Sequence, residues 1–312
     1  MSVKYNLVYM AKPTYGGWVS FTAHLANKKK YDLYKITNRS EKSKRNYGYG
    51  IQYQNLNIDD LVKKPNLLIT AIDKNYYKYL PKILNATIVI HDPTELKDTI
   101  VELLQSKKFK VITIRRTVEE LLKTKYNINN TFLHHPFYAF PKPINKIKKN
   151  NNISLSRIDF DKHTDIILKA NNKLKNPVKI YGAVNGLYVY HKLSKMEDIN
   201  FKKHYKGKFS KTFDALIELL GNTKFVVDMS AINKDGGGSQ YTFLEAIYMD
   251  CVLVLNKKWV NGVVTDFIDG VNCFIVENDE DIIKLLNENP ITNTITYNAN
   301  KLLKHHLIAT GW

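Results

Sequence analysis

YNLVYMAKPTYGGWVSFTAHLANK, residues 5–28, contains the pattern that decides the fold. Residues 5–10 are of the apolar and aromatic type that forms a buried strand, and a turn carrying Gly16 and Gly17 follows them. From about Val19 to Lys28 the pattern is helical. A strand, a glycine-containing turn and a helix, in this order, are typical of the opening of a nucleotide-binding α/β unit.

The same alternation continues down the first half of the chain. It predicts strands at 31–36, 66–72, 87–90 and 111–114, and helices at 94–104 and 117–125. Alternating strands and helices favour a parallel sheet with crossover helices.

The composition of the chain changes after about residue 135. Pro136, Pro141 and Pro143 lead into the polar stretch 144–152, which is typical of an exposed linker. Alternation then restarts, with predicted strands at 153–158, 178–181, 224–229, 252–255 and 273–276, and predicted helices at 162–172, 215–220, 241–249, 279–288 and 299–307. We therefore predict an α/β fold of two Rossmann-like domains, residues 1–145 and 146–312, with a ligand site in the cleft between them and a C-terminal helix that packs back on the first.

Length and composition agree with this prediction. With 312 residues, 44% of them hydrophobic and 24% charged, the chain is neither disordered nor fibrous. The formal net charge of +18 has two explanations. It favours a polyanionic partner, such as nucleic acid or an anionic membrane. Lysine far outnumbers arginine, however, and the abundance of Lys, Asn, Ile and Tyr is also what an AT-rich genome would encode.

Cysteine usage and hydropathy indicate a cytoplasmic protein. Cys251 and Cys273 both lie in apolar contexts, which predicts two buried free thiols in a reducing compartment. No segment reaches the ~18 apolar residues that a membrane span needs. The N-terminus is too short and too polar for a secretory signal, so we expect the chain to start directly with its first strand.

A first candidate site lies in the segment ISLSRIDFDKHTDIILKA, residues 153–170. Arg157 at a strand end and Lys162 at a helix start could reach one point above the sheet, where the helix N-terminus adds partial positive charge. That arrangement suits a diphosphate. Alternatively, the two cations only pair with Asp159 and Asp161.

A second candidate site begins at the loop Gly236–Gly238, which follows a predicted strand and precedes an apolar helix. A backbone without side chains can approach a ligand closely. Glu245 is the single acid of that helix, and a buried carboxylate there is costly unless it binds something. The alternative is a helix glutamate that points to solvent.

These segments together resemble a known family. SRIDFDKH around Arg157 and Lys162 resembles the G-R-x-x-x-x-K-G segment of retaining glycosyltransferases with the two-Rossmann-domain GT-B fold, the glycosyltransferase 4-like group. TFLEA around Glu245 with VLV at 252–254 is similar to the group's LEA…PV segment, and residues 269–276 are similar to its DGxNGxLV segment. Residues 111–136 resemble the last strand, helix and crossover of its N-terminal domain.

The resemblance implies roles for matching residues. Arg157 and Lys162 would hold the donor diphosphate and stabilise the charge that develops on it, and Glu245 would accept hydrogen bonds from the ribose. His91 and Asp92 would contact the sugar or acceptor, with Asp92 orienting the acceptor hydroxyl; His91 could equally be a packing histidine at a strand end. No metal is expected, because protein cations do that work. The remaining donor contacts are assigned to Gly16, Gly17, Gly237, Gly238, Ser239, Gln240, Tyr241 and Thr242.

One position departs from the family pattern. The family carries a sugar-contacting Glu eight residues before the LEA glutamate, and here that position is Gly237. The contact would then come from Asp235, Gln240 or backbone amides. The departure leaves the donor sugar open and leaves an inactive relative possible.

A narrower resemblance concerns the acceptor. QYTFLE, residues 240–245, is similar to a segment of phage α-glucosyltransferases that modify hydroxymethylated DNA bases, and residues 6–17 and 89–92 are similar to their first strand and their "HD" strand end. Lysine can track DNA phosphates without sequence preference. Tyr47 and Tyr49 are candidates to stack on bases. The predicted nucleic-acid contacts are Lys28, Lys29, Lys30, Lys44, Arg45, Lys202, Lys203 and Lys206.

The resemblance therefore implies a retaining hexosyltransferase that uses a UDP-sugar as co-substrate, with UDP-glucose favoured, and no other cofactor. The favoured acceptor is a hydroxymethylated pyrimidine in viral DNA, modified in the host cytoplasm. A cell-surface or lipid-linked glycan, made with basic residues at a membrane surface, is the alternative, and a non-catalytic nucleic-acid-binding relative is a third. A monomer is the default oligomeric state.

Overall fold

A computed structural model describes residues 4–36, 46–106, 109–142, 149–231, 236–308 and 311–312 of the chain. The chain divides into two compact units. Unit 1 comprises Met1–Ala139 and His305–Trp312, and unit 2 comprises Phe140–Lys304.

Unit 1 is built on a parallel sheet. Its strands in the described residues are β1 (Asn6–Met10), β2 (Asp32–Ile36), β3 (Gln54–Leu56), β4 (Leu67–Ile72), β5 (Thr87–Ile90), β6 (Lys110–Thr113) and β7 (Asn130–Phe132). Its helices there are α1 (Gly17–Lys29), α2 (Ile58–Leu61), α3 (Asp98–Ser106) and α4 (Arg116–Thr124). The strand order is β3-β2-β1-β4-β5-β6-β7, and all neighbours pair in parallel.

Burial explains why the central strands are continuous apolar runs. All six residues of β4, LLITAI, are buried, as expected for a parallel strand with both faces covered. The chain leaves β1 towards β2 on one side and later places β4 on the other. The crossovers therefore diverge between β1 and β4, and the carboxyl ends of these two strands form the crevice where such sheets bind ligands.

Unit 2 repeats this plan with a smaller sheet. Its described strands are β8 (Asn151–Leu155), β9 (Val178–Tyr181), β10 (Thr223–Asp228), β11 (Val252–Asn256) and β12 (Phe274–Val276). Its described helices are α5 (Thr164–Asn171), α6 (Gly186–His191), α7 (Phe201–His204), α8 (Phe213–Gly221), α9 (Tyr241–Tyr248), α10 (Lys257–Val260) and α11 (Asp279–Glu288), and α12 (Asn293–Ile308) begins in this unit.

The order of this sheet is β12-β11-β10-β8-β9, again all parallel. Its crossovers diverge between β8 and β10, so the crevice of unit 2 lies at the carboxyl ends of those two strands. Val227 and Val254 on the central strands are completely buried within its core cluster.

Several sequence-based boundaries needed correction. β8 ends at Leu155 and not at Ile158, and α5 begins at Thr164 and not at Lys162. Asp159 accepts a hydrogen bond from the Phe160 N–H and starts a separate 3₁₀ turn, Phe160–Lys162, before His163 takes a left-handed conformation at φ 45°. The C-terminal helix begins at Asn293, six residues before the predicted Ala299.

The structure also bears on the two cysteines and on the expected lack of a membrane span. Cys251 and Cys273 are free and buried, as the sequence predicts. Among the described residues, no helix combines the length and the apolar character that crossing a bilayer would require.

Candidate functional site

Arg157 lies just beyond the end of β8, and 61% of its side chain is exposed. Its guanidinium donates to Asp159 Oδ2 at 2.9 Å and to Asp161 Oδ2 at 3.3 Å. The pairing with Asp159 and Asp161 that the sequence left open is therefore present. It fixes the orientation of the guanidinium while leaving the group open to solvent, so the pairing and an anion-binding role are compatible.

Lys162 is held much more tightly. The residue is only 8% exposed, and its Nζ donates a hydrogen bond of 2.8 Å to Ser230 Oγ. The same ammonium lies 3.8 Å from Asp161 Oδ2, the oxygen that also pairs with Arg157. The structure thus brings Arg157 and Lys162 to one carboxylate oxygen, and their joint role in holding a diphosphate stays a prediction.

Ser230 belongs to the loop that follows β10. Its N–H donates to Asp228 Oδ1 at 2.8 Å, and the N–H of the next residue, Ala231, donates to the Asp161 carbonyl at 2.9 Å. These bonds join the loops after β8 and β10, the two strands between which the crossovers of unit 2 diverge. The two cations therefore lie where a parallel α/β sheet binds its ligands.

The glycine loop before α9 packs closely on its own unit. A Cβ at Gly236 would lie 2.2 Å from the Trp259 carbonyl oxygen, and one at Gly237 would lie 2.7 Å from the Val264 carbonyl oxygen. Gly237 also has φ 78°, a conformation that residues with a side chain rarely adopt. The family's glutamate therefore cannot be accommodated at Gly237 without moving the backbone.

Glu245 lies on α9 and is completely buried. The interpretation of Glu245 as a solvent-facing helix residue is therefore wrong. Tyr241 lies one turn earlier and is 5% exposed, and burial together with the Glu245 charge raises the pKa of its hydroxyl well above the usual value.

The other predicted donor contacts lie at the start of the same helix. Gln240 is the N-cap residue of α9 and is half-buried, as are Gly238 and Thr242, whereas Ser239 is 7% exposed. Asp235, the candidate replacement for the missing glutamate, lies outside the described residues.

In unit 1, Gly16 and Gly17 lie where the turn after β1 enters α1. Gly16 has φ 103°, which favours glycine. A Cβ added at Gly16 or at Gly17 would meet no atom within 4 Å, so the loop borders open space at the carboxyl end of β1. A ligand can therefore approach the backbone there.

His91 follows β5 and is 6% exposed. Its Nε2 lies 2.7 Å from the Thr70 carbonyl oxygen, and its ring packs 4.8 Å from that of Phe21. Burial lowers the pKa of His91 to about 4. At neutral pH the ring is therefore uncharged, and Nε2 carries the proton because a carbonyl can only accept. This is the geometry of the packing histidine that the sequence left open.

Asp92 is half-buried and starts the 3₁₀ turn Pro93–Glu95. Its Oδ1 accepts hydrogen bonds from the Thr94 N–H at 2.9 Å and from the Thr94 hydroxyl. Within the described part of the chain, Oδ2 accepts no hydrogen bond. That oxygen is available to an acceptor hydroxyl.

The predicted nucleic-acid contacts differ in their surroundings. Lys202, Lys203 and Lys206 are exposed on and just after α7. Lys30 is exposed and Lys29 is half-buried at the end of α1. Lys44 and Arg45 lie outside the described residues.

Two of the sequence-based proposals for DNA contacts need correction. The Lys28 ammonium donates to the carbonyl oxygens of Phe137 and Leu307, and burial lowers its pKa, so its charge stabilises unit 1 internally. Tyr49 is 8% exposed, and Tyr47 packs against Tyr53 with ring centroids 4.8 Å apart. Tyr49 therefore presents no open face for stacking, whereas Tyr47 is half-buried and its stacking role stays a prediction.

Sequence reasoning missed three side chains at these sites: Ser230, Trp18 and Glu95. Trp18 is half-buried at the first turn of α1, and its Nε1 donates to Glu95 Oε1 at 2.8 Å. Ser230 reaches the site because β8 and β10 are neighbours in the sheet. A sequence does not reveal the order of strands, so it gave no signal for Ser230. Among the described residues, no group of three or more His, Cys, Asp or Glu side chains is placed to hold a metal ion.

Comparison with known proteins gives no match in sequence and clear matches in structure. No protein-family model and no curated protein matches the chain. Alr3699/HepE from Anabaena, in complex with UDP and glucose, matches with a TM-score of 0.67 at 13% identity, over 97% of this chain and 95% of that chain. A glycosyltransferase from Rickettsia africae matches with a TM-score of 0.64 at 14% identity, over 98% and 93%.

A third solved structure is an α-glucosyltransferase in complex with UDP and a 13-mer DNA containing a HMU base. It matches with a TM-score of 0.65 at 14% identity, over 98% of this chain and 94% of that chain. At such identities the likeness shows the fold. The chain has the α/β GT-B architecture that its sequence motifs predict, and the structures it matches are glycosyltransferases.

Proposed function

We propose that this chain is a retaining glycosyltransferase that moves glucose from UDP-glucose to a hydroxymethylated pyrimidine in DNA. The observation that carries the proposal is the pair of cations in unit 2. Lys162 is fixed by Ser230, Arg157 is held by Asp159 and Asp161, and both lie at the carboxyl ends of β8 and β10. The common presence of UDP in structures of the same fold supports a uridine diphosphate donor.

The chemistry needs these cations. When the bond between the sugar C1 and the diphosphate breaks, negative charge develops on the departing UDP. Fixed positive groups that meet this charge lower the barrier without having to reorganise. The Lys162 ammonium acts as a point charge, and the Arg157 guanidinium can donate two hydrogen bonds to one phosphate.

The rest of the donor is assigned to the segment between β10 and α9 and to α9 itself. Glu245, which matches the family's LEA glutamate, is assigned to accept hydrogen bonds from the ribose. Backbone amides around Gly237 and Gly238, with Gln240, contact the sugar in place of the missing glutamate. The close packing of Gly237 leaves no room for a longer side chain at that position, so the sugar contact has to come from another group.

Unit 1 holds the acceptor. The loop at Gly16 and Gly17 borders open space, and Asp92 has one carboxylate oxygen that no described residue occupies. That oxygen accepts a hydrogen bond from the attacking hydroxyl and orients it towards C1. His91 is buried and neutral, so we assign it the support of this strand end and not proton transfer.

Three observations support DNA as the acceptor. The net charge is +18, the lysines at 202, 203 and 206 are exposed, and one structure of the same fold contains DNA with a HMU base. Burial and the charges of Lys203 and Lys206 lower the pKa of His204, so the positive field at α7 comes from the lysines. A hydroxymethyl group inside a duplex is out of reach of such a site, so the base is extruded before transfer. The enzyme would act on viral DNA in the host cytoplasm.

The test uses UDP-glucose labelled in the sugar. The protein is incubated with duplexes that contain hydroxymethyluracil, hydroxymethylcytosine or unmodified bases, and label in DNA and release of UDP are measured. We expect label only in a hydroxymethylated duplex, in an α-glycosidic linkage. Lys169→Met, an exposed lysine of α5 on the same unit, is the matched control for Lys162→Met.

Each negative result identifies a different alternative. Release of UDP without label in any DNA means that water took the glucose, which would contradict the DNA acceptor and leave the glycan or lipid alternative. DNA binding without release of UDP or transfer would support a non-catalytic relative. A β-linked product would contradict the retaining mechanism while leaving the donor assignment intact.

A further inference from the structure

An aromatic side chain beside the open loop of unit 1 is fixed from behind by a buried carboxyl group. Trp18 lies in the first turn of α1, directly after Gly16 and Gly17, and its Nε1 donates 2.8 Å to Glu95 Oε1. Glu95 is only 4% exposed. Both of its oxygens also accept from the His91 N–H, at 3.3 Å.

The environment of Glu95 has an energetic consequence. Burial, followed by the nearby Asp92 charge, raises the pKa of Glu95 well above its usual value. A buried carboxyl group costs stability unless it has hydrogen-bond partners. Here the partners are the Trp18 indole N–H and the N–H of His91, which follows β5. Glu95 therefore holds the indole in a fixed position next to the sheet. A rigid aromatic ring loses little conformational freedom when a ligand binds.

The space around this indole is suited to a ligand. Trp18 is half-buried, so part of its ring faces solvent, and nothing lies within 4 Å of the Cβ positions at Gly16 and Gly17. Tyr15, immediately before these glycines, is 61% exposed. The loop therefore offers one fixed and one exposed aromatic ring at the carboxyl end of β1, which borders the crevice of this sheet.

The chemistry of the neighbours favours a planar base over a sugar. A sugar needs partners for its several hydroxyl groups, and Glu95 and His91 next to the indole are already engaged within unit 1. Glu95 is held by Trp18 and His91, and His91 Nε2 donates to the Thr70 carbonyl. Trp18 and Tyr15 give the open space an aromatic surface, and Asp92 Oδ2 is left for a single hydroxyl. A base stacks on an aromatic ring whatever its identity.

We propose that Trp18, positioned by Glu95, is the platform on which the extruded pyrimidine of the DNA acceptor stacks. This inference rests on the proposed function, because it names the part of unit 1 that receives the acceptor base. Trp18 contacts the base, and Glu95 is a positioning residue that acts through Trp18. The preference for a base comes from the rigidity of the indole and from the engagement of Glu95 and His91 within the unit.

Tryptophan fluorescence gives a test that does not depend on transfer. The other two tryptophans, Trp259 and Trp312, are 1% and 3% exposed, so Trp18 is the one that acrylamide can reach. A duplex with a hydroxymethylated base should shield it, and an unmodified duplex should shield it much less. Trp18→Phe is the control variant. The fluorescence that acrylamide quenches should disappear in it. Absence of shielding by any duplex that the protein binds would overturn the proposal.

Kinetics separate the platform from a merely structural role. Trp18→Leu should raise the KM for the DNA acceptor about 10- to 100-fold, the range for loss of one stacked base. Glu95→Met removes the acceptor of the indole hydrogen bond and should have a similar effect. Glu95→Gln keeps a carbonyl oxygen for Trp18 and should restore a KM near that of the wild type. An unchanged acceptor KM in Trp18→Leu would also overturn the proposal.

The two proposals fail separately. If the wild type transfers no glucose to DNA but a hydroxymethylated duplex shields Trp18, the acceptor platform stands and the proposed function falls. If transfer to DNA occurs and Trp18 stays accessible, the proposed function stands and the platform falls. If a sugar acceptor shields Trp18 and DNA does not, the base is the wrong ligand class.

Discussion

The Lys162 ammonium donates a hydrogen bond of 2.8 Å to the Ser230 hydroxyl, and this bond joins the loop after β8 to the loop after β10. Ser230 is itself fixed by the Asp228 carboxylate and is only 1% exposed. The position of the cation therefore depends on two strands that are neighbours in the sheet and far apart in the chain. The proposed donor site follows from that relationship.

Removing the Ser230 hydroxyl should weaken donor use without abolishing it. Ser230→Ala leaves Lys162 with only the 3.8 Å contact to Asp161, so the ammonium is less well positioned. A hydrogen bond to a charged group is worth about 1.5 kcal/mol or more, which corresponds to a decrease of roughly ten-fold in kcat/KM for UDP-glucose. Ser210→Ala, at an exposed serine of the same unit, should have no effect. Equal kcat/KM in both variants would contradict a role for Ser230.

Restoring the family's glutamate at Gly237 should not improve the enzyme. Gly237→Glu places a side chain at φ 78° and a Cβ 2.7 Å from the Val264 carbonyl oxygen. Strain of this kind costs about 1–3 kcal/mol, and the clash adds to it. We expect a lower Tm and lower transfer activity. Gly186→Ala, where a Cβ meets nothing within 4 Å, is the control and should keep both. Increased transfer by Gly237→Glu would contradict the close packing of this loop against Val264.

His91 should make stability depend on pH in a defined window. Its pKa is lowered to about 4 in the folded protein, from the ordinary value of 6.5. The unfolded chain therefore binds the proton first as the pH falls, so the contribution of His91 is complete above pH 6.5 and is lost towards pH 4. The shift corresponds to about 3 kcal/mol at most. Denaturant unfolding of wild type and His91→Gln at pH 7 and pH 4 measures it. The wild type should lose more stability than the variant, and equal losses would contradict burial of this ring.

The exposed lysines near α7 should determine how DNA binding responds to salt. Each phosphate contact that is lost reduces the slope of log K against log salt by about 0.9. Replacing Lys202, Lys203 and Lys206 by glutamine should therefore reduce the slope by up to about 3. The control removes the same charge at Lys63, Lys123 and Lys173, which are in ion pairs with acids. Equal slopes in the two triple variants would show that α7 is not the DNA contact.

The sequence predicted most of the two sheets because of how parallel strands are buried. β4, β5 and β11 are buried throughout, whereas β9 alternates buried and half-buried residues, and all four were placed to within a residue or two. β3 and β7 were missed because they are three-residue strands at the edges of their sheet, with polar residues that give no apolar run.

The candidate site was only partly predictable. Arg157 and Lys162 are five residues apart, so local spacing places both near one strand end. The position of Ser230 at the site depends on which strands are neighbours, and the position of Glu95 depends on a short 3₁₀ turn. Neither feature produces a pattern in the sequence. From the sequence, Gly237 looked like the loss of the family's sugar-contacting glutamate. Its close packing against Val264 shows that the structure requires glycine at this position.

The claim that Lys162 belongs to a diphosphate site is tested most directly by comparing UDP with uridine. Calorimetry on the wild type should show UDP binding at least about 100-fold more tightly than uridine, because fixed cations recognise the phosphates. Lys162→Met should lose most of that preference and keep its affinity for uridine, whereas Lys169→Met should behave as the wild type. If Lys162→Met binds UDP as tightly as the wild type does, Lys162 does not hold the donor and the proposed site is wrong.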